Sequence, residues 1–439
     1  MADKSGGKGT LDRILGLFSD IRPGESGAVI LMLLNIFLIL ASYYMIKTTR
    51  EPLILLGGGA AVKTYSAGAQ AFIMMIFIPL YGWFASKVKR KTLIVSLTLL
   101  FVINIEMFTL GVAFKIPYIG VAFYIWVGFF SVTIIAQFWS FANEFYEKKI
   151  GERLFPFIAI GMTAGSPVGA KAAEILYEKG ASAPMVMHVS AAILLSTLLL
   201  YGLIFRKQST QNATVQTVQE KGLKGENGFL LILKSKYLRY VALILVFLNF
   251  VNTNGEYLLS ELATREAARL FSLNPGFDQG AYLGAFYGNF FFWVNIAAVL
   301  IQAFLVSRIV KYFGLAGALF TLPIVAFGVY GFVATGVAFT AVRWSKTAEN
   351  STDYSVMNTG RQLLWLPLSN EEKYKAKQAV DTFFFRLGDV GSAIFVFIGT
   401  NFLILNITGF ALGNLVLILI WLFITYRVVK MHRQMTNKS

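Results

Sequence analysis

Long apolar segments recur along this 439-residue chain, and their length limits the folds open to it. A helix of about 20 apolar residues spans the hydrocarbon core of a bilayer. The chain holds twelve such segments, each bounded by Lys, Arg, Gly or Pro, at 28–46, 65–85, 92–114, 118–143, 155–176, 184–205, 238–260, 280–306, 314–335, 337–358, 379–405 and 408–427. With 56% hydrophobic and 14% charged residues, this pattern predicts an all-α membrane protein with twelve transmembrane helices.

Basic residues lie mainly in alternate loops between these segments. Clusters follow the second segment (residues 87–91), the sixth (Arg206 and Lys207) and the eighth (Arg308 and Lys311), whereas the intervening loops hold only scattered ones. Cytoplasmic loops of membrane proteins carry an excess of Lys and Arg. We therefore expect a multi-pass protein of the bacterial cytoplasmic (inner) membrane, with both termini in the cytoplasm.

Two pseudo-symmetric halves are predicted from short motifs that recur about half a chain apart. Thr49-Arg50-Glu51 follows the first segment, and Thr264-Arg265-Glu266 follows the seventh. A polar stretch without periodicity, 206–227, separates the halves and predicts a flexible linker. The expected parts are a cytoplasmic N-terminal segment 1–26, an N-terminal six-helix half 27–205, a cytoplasmic linker 206–235, a C-terminal six-helix half 236–428 and a cytoplasmic tail 429–439. This architecture resembles the major facilitator superfamily, whose substrate site lies between the halves.

Several classes of function are disfavoured by what the sequence lacks. It has no cysteine and two histidines, which leaves little for metal or thiol chemistry. No phosphate-binding Gly-x-x-x-x-Gly-Lys-Ser/Thr loop is present, and Gly57 to Gly59 are predicted to form a turn between the first two segments. The net charge of +16 fits the cytoplasmic basic loops better than nucleic-acid binding. We expect no enzyme, cofactor or nucleic-acid partner, and a monomer in the lipid bilayer.

Charged residues inside the apolar segments are the main clue to function. A charge at the centre of a spanning helix costs roughly 2.5–3.5 kcal/mol on insertion scales, so such residues face protein or water and mark a pathway. The tenth segment carries Arg343, Lys346, Glu349, Asn350 and Asp353 at helical spacing. These residues fall on one stripe of a helix. We expect that stripe to line a water-filled cavity and to bind a solute.

Other segments contribute further candidates for substrate binding, namely Lys63, Asn143, Glu144, Lys171, Glu256, Arg386 and Asp389. In a duplicated twelve-helix transporter, the first, fourth, seventh and tenth helices line the cavity and the second, fifth, eighth and eleventh lie beside them. The remaining helices form the scaffold. Glu106 of the third segment does not fit this scheme, and a proton site and a misplaced helix end both stay open for it.

An alternative explanation of the same charges is internal pairing. Lys346 with Glu349, and Arg386 with Asp389, are three residues apart and can form ion pairs that merely hold helices together. The glycines Gly161, Gly165 and Gly169 of the fifth segment are typical of close helix packing.

Three parts of the chain, namely the segment 138–143, the run 353–381 and Glu256, resemble the ATP/ADP translocase family of plastids and intracellular bacteria. The segment 138–143, Phe-Trp-Ser-Phe-Ala-Asn, is similar to a family motif, as are the Asp-Tyr-Ser of 353–355, the Leu-Pro-Leu of 366–368 and the Lys-Gln-Ala-Val-Asp of 377–381. Glu256 stands where the family has an important acidic residue. The resemblance implies a nucleotide transporter within a major-facilitator-like fold.

The chain departs from that family at several charged positions. Asn350, Asp353 and Asp389 stand where the family has basic residues, Val127 replaces an acid, and Lys63 lies about a turn from the family's lysine. Lysine binds phosphate as a point charge. The losses therefore argue against ATP itself and favour a related charged metabolite.

Three hypotheses follow from the sequence. The first is a secondary transporter of the nucleotide translocase type that moves or exchanges a nucleotide or related charged metabolite by alternating access. The second is a proton-coupled exporter of a small metabolite or drug, with Glu106, Asp353 or Asp389 as the protonating carboxylate. The third is a membrane receptor or scaffold that transports nothing.

Overall fold

The computed structural model describes residues 21–22, 25–210, 228–369 and 372–436, and its regular structure there is helical throughout. The helices, in chain order, are α1 (Ser26–Lys87), α2 (Arg90–Ala113), α3 (Ile119–Phe145), α4 (Lys148–Glu178), α5 (Ala183–Thr210), α6 (Gly228–Lys234), α7 (Lys236–Leu273), α8 (Gln279–Ile301), α9 (Ser307–Ala334), α10 (Phe339–Thr352), α11 (Asn358–Leu363), α12 (Lys377–Ala379), α13 (Phe385–Asn401) and α14 (Ile407–Thr436). Short π-helical turns at Gln302–Val306, Asp353–Met357, Glu372–Ala376 and Val380–Phe384 join several of them. The predicted all-α membrane fold is confirmed.

Within the described ranges, eight helical stretches are long and apolar enough to span a membrane. Two of these stretches each contain two predicted segments, and a residue with positive φ interrupts each, Gly59 at 76° and Gly314 at 60°. The predicted segments 155–176 and 337–358 also coincide with helices, but charged and small residues reduce their apolar character. The number of twelve crossings therefore stays a prediction.

The first helix continues well beyond the predicted end at residue 46. Helical geometry extends through Gly57 and Gly58, and of the three predicted turn glycines only Gly59 leaves it. The expected three-residue turn is therefore wrong except at that position. As a result, the charged residues that follow the first apolar segment lie inside a helix.

The ends of the predicted linker are also helical. Residues 206–210 continue α5, and α6 lies within the range assigned to the linker. Residues 211–227 and the N-terminal residues 1–20 fall outside the described part of the chain. Most of the predicted tail belongs to α14, which ends at Thr436. The boundaries of the two halves stay predictions.

The glycines of α4 pack directly on α1. A Cβ atom added at Gly161, Gly165 or Gly169 would lie 2.2 to 2.3 Å from a backbone carbonyl oxygen of α1, which for Gly165 is that of Phe37. No side chain fits into such a space. The close helix approach predicted for these glycines is confirmed.

The two halves touch on one side of the molecule. The ring of Tyr177 packs on Gly284, and Tyr65 Oη lies 3.2 Å from Thr400 Oγ1. These contacts lie toward the loops 114–118, 179–182, 274–278 and 402–406, which we call the closed side. On the opposite side, a cavity of about 840 Å³ lies between α1 beyond Met74 and the chain around Gln378. We call this the open side.

The helix contact at Gly165 predicts a difference between two Gly→Ala variants. Gly165→Ala forces α1 and α4 apart and should lower the free energy of unfolding by about 1–3 kcal/mol, as overpacking of a tight core does. Gly202 of α5 has no atom within 4 Å of an added Cβ, so Gly202→Ala should be neutral or stabilise by up to about 1 kcal/mol. Thermal unfolding of both purified variants in detergent measures the difference. Equal melting temperatures would contradict the packing described above.

Candidate functional site

A cavity of about 310 Å³ lies between the two halves. Its walls come from α1, α3, α7, α8, α10, the Asp353–Met357 turn and α13. These elements correspond to the first, second, fourth, seventh, eighth, tenth and eleventh predicted segments. The prediction that the first, fourth, seventh and tenth line the cavity is confirmed.

A buried carboxylate, Glu51 of α1, organises one wall of the cavity. Its Oε1 lies 2.5 Å from Arg50 Nη2 and its Oε2 lies 2.6 Å from Lys63 Nζ, and 1% of the Glu51 side chain is exposed. Lys63 also donates to Ser260 Oγ at 2.8 Å and lies 3.8 Å from Glu256 Oε2. Because Ser260 and Glu256 belong to α7, this lysine connects the first half to the second.

Two cations on the same wall lie against aromatic rings. The Arg50 guanidinium is 4.2 Å from the ring centre of Tyr124, and Lys47 Nζ is 4.4 Å from that of Phe291. Aromatic faces attract cations through their quadrupole. Arg50 is also paired with Glu51, whereas Lys47 has no carboxylate within 4 Å in the described part of the chain. Lys47 is therefore a cation of the cavity wall that is free to meet a solute.

The opposite wall, from the second half, carries acids and amides. Asn350 Nδ2 donates to Glu256 Oε1 at 2.9 Å, and Thr253 Oγ1 donates to Asp389 Oδ1 at 2.7 Å. Arg386 Nη1 lies 3.5 Å from Asp389 Oδ2. Arg386 and Asp389 thus form the predicted internal ion pair, and both also line the cavity.

Asp353 is the one acid of this wall for which the described residues provide no side-chain hydrogen bond or salt bridge. It lies at the start of the π-helical turn Asp353–Met357, beside Tyr354 of the same wall. A π-helical turn inside an α-helix frequently occurs at a functional site. An unpaired carboxylate here can accept hydrogen bonds from a bound solute.

The predicted polar stripe of α10 does not line the cavity along its whole length. Lys346 Nζ lies 3.1 Å from Glu349 Oε2, and their side chains are 2% and 4% exposed. Tyr330 of α9 donates to Glu349 Oε2 at 2.9 Å, and Lys346 donates to Asn252 Oδ1 at 2.9 Å. The stripe expectation is wrong for this pair, because its face of α10 packs on α7 and α9. The alternative of internal pairing holds for it.

Arg343 and Lys171 lie outside the cavity in a polar cluster that joins the halves on the closed side. Glu174 Oε1 of α4 accepts hydrogen bonds from Lys171 Nζ at 2.7 Å and from Asn289 Nδ2 at 2.6 Å. Arg343 in turn donates to Asn289 Oδ1. We call these four residues the closed-side cluster. Its two predicted solute ligands each bond to a residue of their own half, and the hydrogen bond between Glu174 and Asn289 joins the halves.

Asn143 and Glu144 also lie away from the cavity. Both are exposed at the end of α3, where Glu144 Oε2 accepts a hydrogen bond from Arg90 Nε at 2.9 Å. Glu106 of α2 lies 2.7 Å from His188 Nδ1 of α5, and both side chains are about half exposed. Glu106 is therefore a residue of the scaffold helices and not of the cavity wall.

Six of the twelve candidate residues line the cavity, namely Lys63, Glu256, Asn350, Asp353, Arg386 and Asp389. The other six are Asn143, Glu144, Lys171, Arg343, Lys346 and Glu349, which have the positions described above. A role of any of these residues in binding a solute stays a prediction.

The sequence reasoning missed Lys47, Arg50 and Glu51. Their signal is the Thr-Arg-Glu motif at 49–51, which follows an apolar segment that ends at residue 46 and therefore resembles a loop. The second copy of the motif has a different environment, since Arg265 and Glu266 form exposed ion pairs along α7. The repeated motif therefore marks a charged wall only in the first half.

The described residues hold no group of three or more His, Asp or Glu that could bind a metal ion. The cavity instead combines charges of both signs with aromatic rings and amides. Such a lining suits a polar organic solute that carries an anionic group and hydrogen-bond donors.

The buried position of Glu51 predicts a strong effect of Glu51→Gln. This variant leaves Arg50 and Lys63 without their carboxylate and should lower the free energy of unfolding by about 3–5 kcal/mol, as loss of one partner of a buried ion pair does. Glu261→Gln is the matched control, because Glu261 pairs with Arg265 on an exposed helix surface. Its effect should stay below about 0.5 kcal/mol. Thermal melts of both variants in detergent measure this, and similar losses would contradict the role assigned to Glu51.

Comparison with known protein families gives a match over the C-terminal part of the chain. Residues 345–435 match the family model described as TLC ATP/ADP transporter. ADP,ATP carrier protein 1 of Chlamydia pneumoniae is 24% identical over 303 residues, which cover 60% of this chain and 57% of that relative. ADP,ATP carrier protein 1 of Rickettsia prowazekii (strain Madrid E) is 22% identical over 346 residues, covering 69% of this chain and 66% of the relative. The chain thus spans somewhat more than half the length of these relatives.

Solved structures show the same fold at lower sequence identity. The crystal structure of nucleoside transporter NupG superposes with a TM-score of 0.63 at 14% identity and covers 92% of this chain and 99% of its own. A bacterial homologue of the iron transporter ferroportin, in an inward-facing state, gives a TM-score of 0.65 at 12% identity, with 92% and 98% covered. The family match and the two carriers support the resemblance to the ATP/ADP translocase family, and the solved structures show a major-facilitator-like fold.

Proposed function

We propose that this protein is a secondary transporter that moves or exchanges a nucleotide or related charged metabolite by alternating access. One observation carries the proposal. Charged residues of both halves, Lys47, Arg50 and Lys63 from the first and Glu256 and Asp389 from the second, line one cavity between helices with the length and composition of membrane spans. Charges in such a position mark a solute pathway.

The arrangement of the halves supports alternating access. The halves touch through the closed-side cluster and through Tyr65 and Thr400, while a cavity separates them on the open side. A solute that contacts both walls would favour a state in which the walls approach, because it binds that state better. Rocking of the halves around the central cavity then moves the solute across the membrane.

The curated relatives support the choice of solute. They are named as ADP,ATP carriers, and a carrier of that type is a transporter and not an enzyme. The cavity walls offer what a nucleotide needs, with cations for an anionic group and aromatic rings and amides for a base. The missing family lysines at Asn350, Asp353 and Asp389 argue that ATP itself is not the preferred solute.

The basic loops on the open side support an orientation in which that side is cytoplasmic. Lys87 and Arg90 lie beside the junction of α1 and α2, and cytoplasmic loops are enriched in such residues. The proposed location is the bacterial cytoplasmic membrane with both termini inside, and the state described above is then open to the cytoplasm.

Counterflow into proteoliposomes tests the transport proposal. Vesicles preloaded with one unlabelled nucleotide should accumulate the labelled form. Lys47→Gln should lower the rate on the order of tenfold, because loss of one charge contact to a solute typically costs more than about 1.4 kcal/mol. Lys311→Gln is the matched control, because Lys311 is exposed outside the cavity, and it should leave the rate unchanged.

The absence of counterflow with any nucleotide, from protein that melts cooperatively, would remove this assignment. Folded protein that binds a solute but never carries it would favour the receptor or scaffold hypothesis instead.

Asp353 supports a second candidate, a proton-coupled exporter. An unpaired carboxylate on the cavity wall can take up a proton from one side and release it to the other. Asp389 already accepts hydrogen bonds, and Glu106 lies away from the cavity, so Asp353 is the preferred proton carrier of the three.

The proton hypothesis predicts a dependence of flux on the pH gradient. An imposed gradient should accelerate uptake or efflux of the transported solute in proteoliposomes, and Asp353→Asn should abolish that acceleration because an amide cannot be protonated near neutral pH. Glu266→Gln changes an acid that pairs with Arg269 on the exposed surface of α7 and should keep the dependence. If the wild-type flux does not depend on the pH gradient, proton coupling is contradicted and exchange of solutes remains.

A further inference from the structure

The central cavity is balanced in charge. The cations on its walls are Lys47, Arg50, Lys63 and Arg386. The acids are Glu256, Asp353 and Asp389, together with Glu51, whose buried carboxylate contacts Arg50 and Lys63 directly behind the wall. Four positive groups thus face four negative ones, and the described walls carry no net charge.

Most of these charged residues pair with one another. Glu51 engages Arg50 and Lys63, Lys63 also approaches Glu256, and Arg386 lies beside Asp389. Lys47 is left as the cation for which the described chain supplies no carboxylate partner, and Asp353 is left as the corresponding acid. The cavity therefore offers a solute one free cation and one free acid.

This balance limits how much negative charge a solute can bring. In an interior with an effective dielectric constant near 20, each unneutralised charge about 10 Å from another changes binding by on the order of tenfold. A first anionic group can pair with Lys47. A second and third would meet Asp353 and the other acids with no free cation to offset them.

The size of the cavity agrees with a compact solute. Its volume of about 310 Å³ lies at the lower end of the range of about 300–1,000 Å³ that is usual for sites that hold small molecules. The carboxylate of Asp353 can accept hydrogen bonds from hydroxyl or amino groups, which a sugar or an amine supplies and a polyphosphate does not.

We propose that the cavity selects solutes that carry at most one anionic group, such as a nucleoside monophosphate, over nucleoside di- and triphosphates. This inference rests on the proposed nucleotide function and narrows its substrate class. Lys47 binds the single anionic group, and Asp353 accepts hydroxyl donors and repels further phosphates.

Binding of adenosine, AMP, ADP and ATP to the purified protein, without divalent cations, tests the rank order by isothermal calorimetry. AMP should bind tightest, and each further phosphate should weaken binding on the order of tenfold. Affinity that rises from AMP to ATP would overturn the proposal, and so would a failure of both adenosine and AMP to bind.

Two variants that change the cavity charge in opposite directions sharpen the test. Asp353→Asn removes one negative charge and should reduce the preference for AMP over ADP about tenfold. Lys47→Gln removes the free cation and should weaken AMP about tenfold while adenosine changes little. Glu266→Gln, which changes a surface acid paired with Arg269 on α7, is the control and should keep the wild-type order. The melting temperature of each variant without ligand shows that it is folded. An unchanged AMP preference in folded Asp353→Asn would overturn the assigned role of this acid.

These measurements separate the inference from the proposed function. Tight AMP binding without counterflow would remove the transport function and leave the charge rule standing. Counterflow that is fastest with ATP, together with tightest ATP binding, would confirm nucleotide transport and overturn the charge rule.

Discussion

The carboxylate of Glu51 makes a charged centre possible in the middle of a long apolar helix bundle. Lysine and arginine are expensive to bury in a membrane unless an opposite charge meets them. Glu51 contacts Arg50 through one oxygen and Lys63 through the other. With both cations satisfied, α1 can remain helical past the end of its apolar segment and present its polar residues to the cavity. The contact of Lys63 with α7 depends on the same arrangement, so the position of the second half is tied to this carboxylate.

Much of the fold follows from local sequence properties, and those parts were predictable. The length of an apolar segment predicts a helix with little help from its neighbours, and each predicted segment coincides with helical structure. Glycines four residues apart in α4 predicted a close contact that the structure shows against α1. Both patterns, the length of an apolar segment and the spacing of glycines, lie within a single helix. They can therefore be recognised without knowledge of the tertiary structure.

The cavity wall was harder to predict because it depends on which way a helix faces. Asn350 and Asp353 face the cavity, yet Lys346 and Glu349 of the same stripe pack inside their own half against Tyr330. Residues at helical spacing share one face only while the helix is regular, and here a π-helical turn begins at Asp353. The sequence also does not show which neighbouring helix that face contacts. The predicted end of the first helix at residue 46 was wrong for another reason. Charged residues that follow an apolar segment resemble a loop when the sequence shows no partner for them. Lys63, the partner of Glu51, lies beyond the break at Gly59, so no local sequence pattern reveals the pair.

Similarity to known structures explains the fold of this protein but not which solute its cavity binds. Major-facilitator-like folds superpose over nearly the whole chain at 12–14% identity, and a shared fold at that distance leaves the solute open. The walls of the central cavity carry charges of both signs, and the proposed choice of solute rests on them.

The position of Lys63 between two glutamates has a consequence for the proposed alternating access. Its ammonium is 2.6 Å from Glu51 in its own half and 3.8 Å from Glu256 across the cavity. If the halves part at this level, the lysine keeps its nearer partner and stays neutralised as it travels. Glu256 then loses its cation and retains the amide of Asn350. Separation of the halves would thus leave an unneutralised carboxylate in the second half only. A bound cationic group or a proton would neutralise Glu256 there.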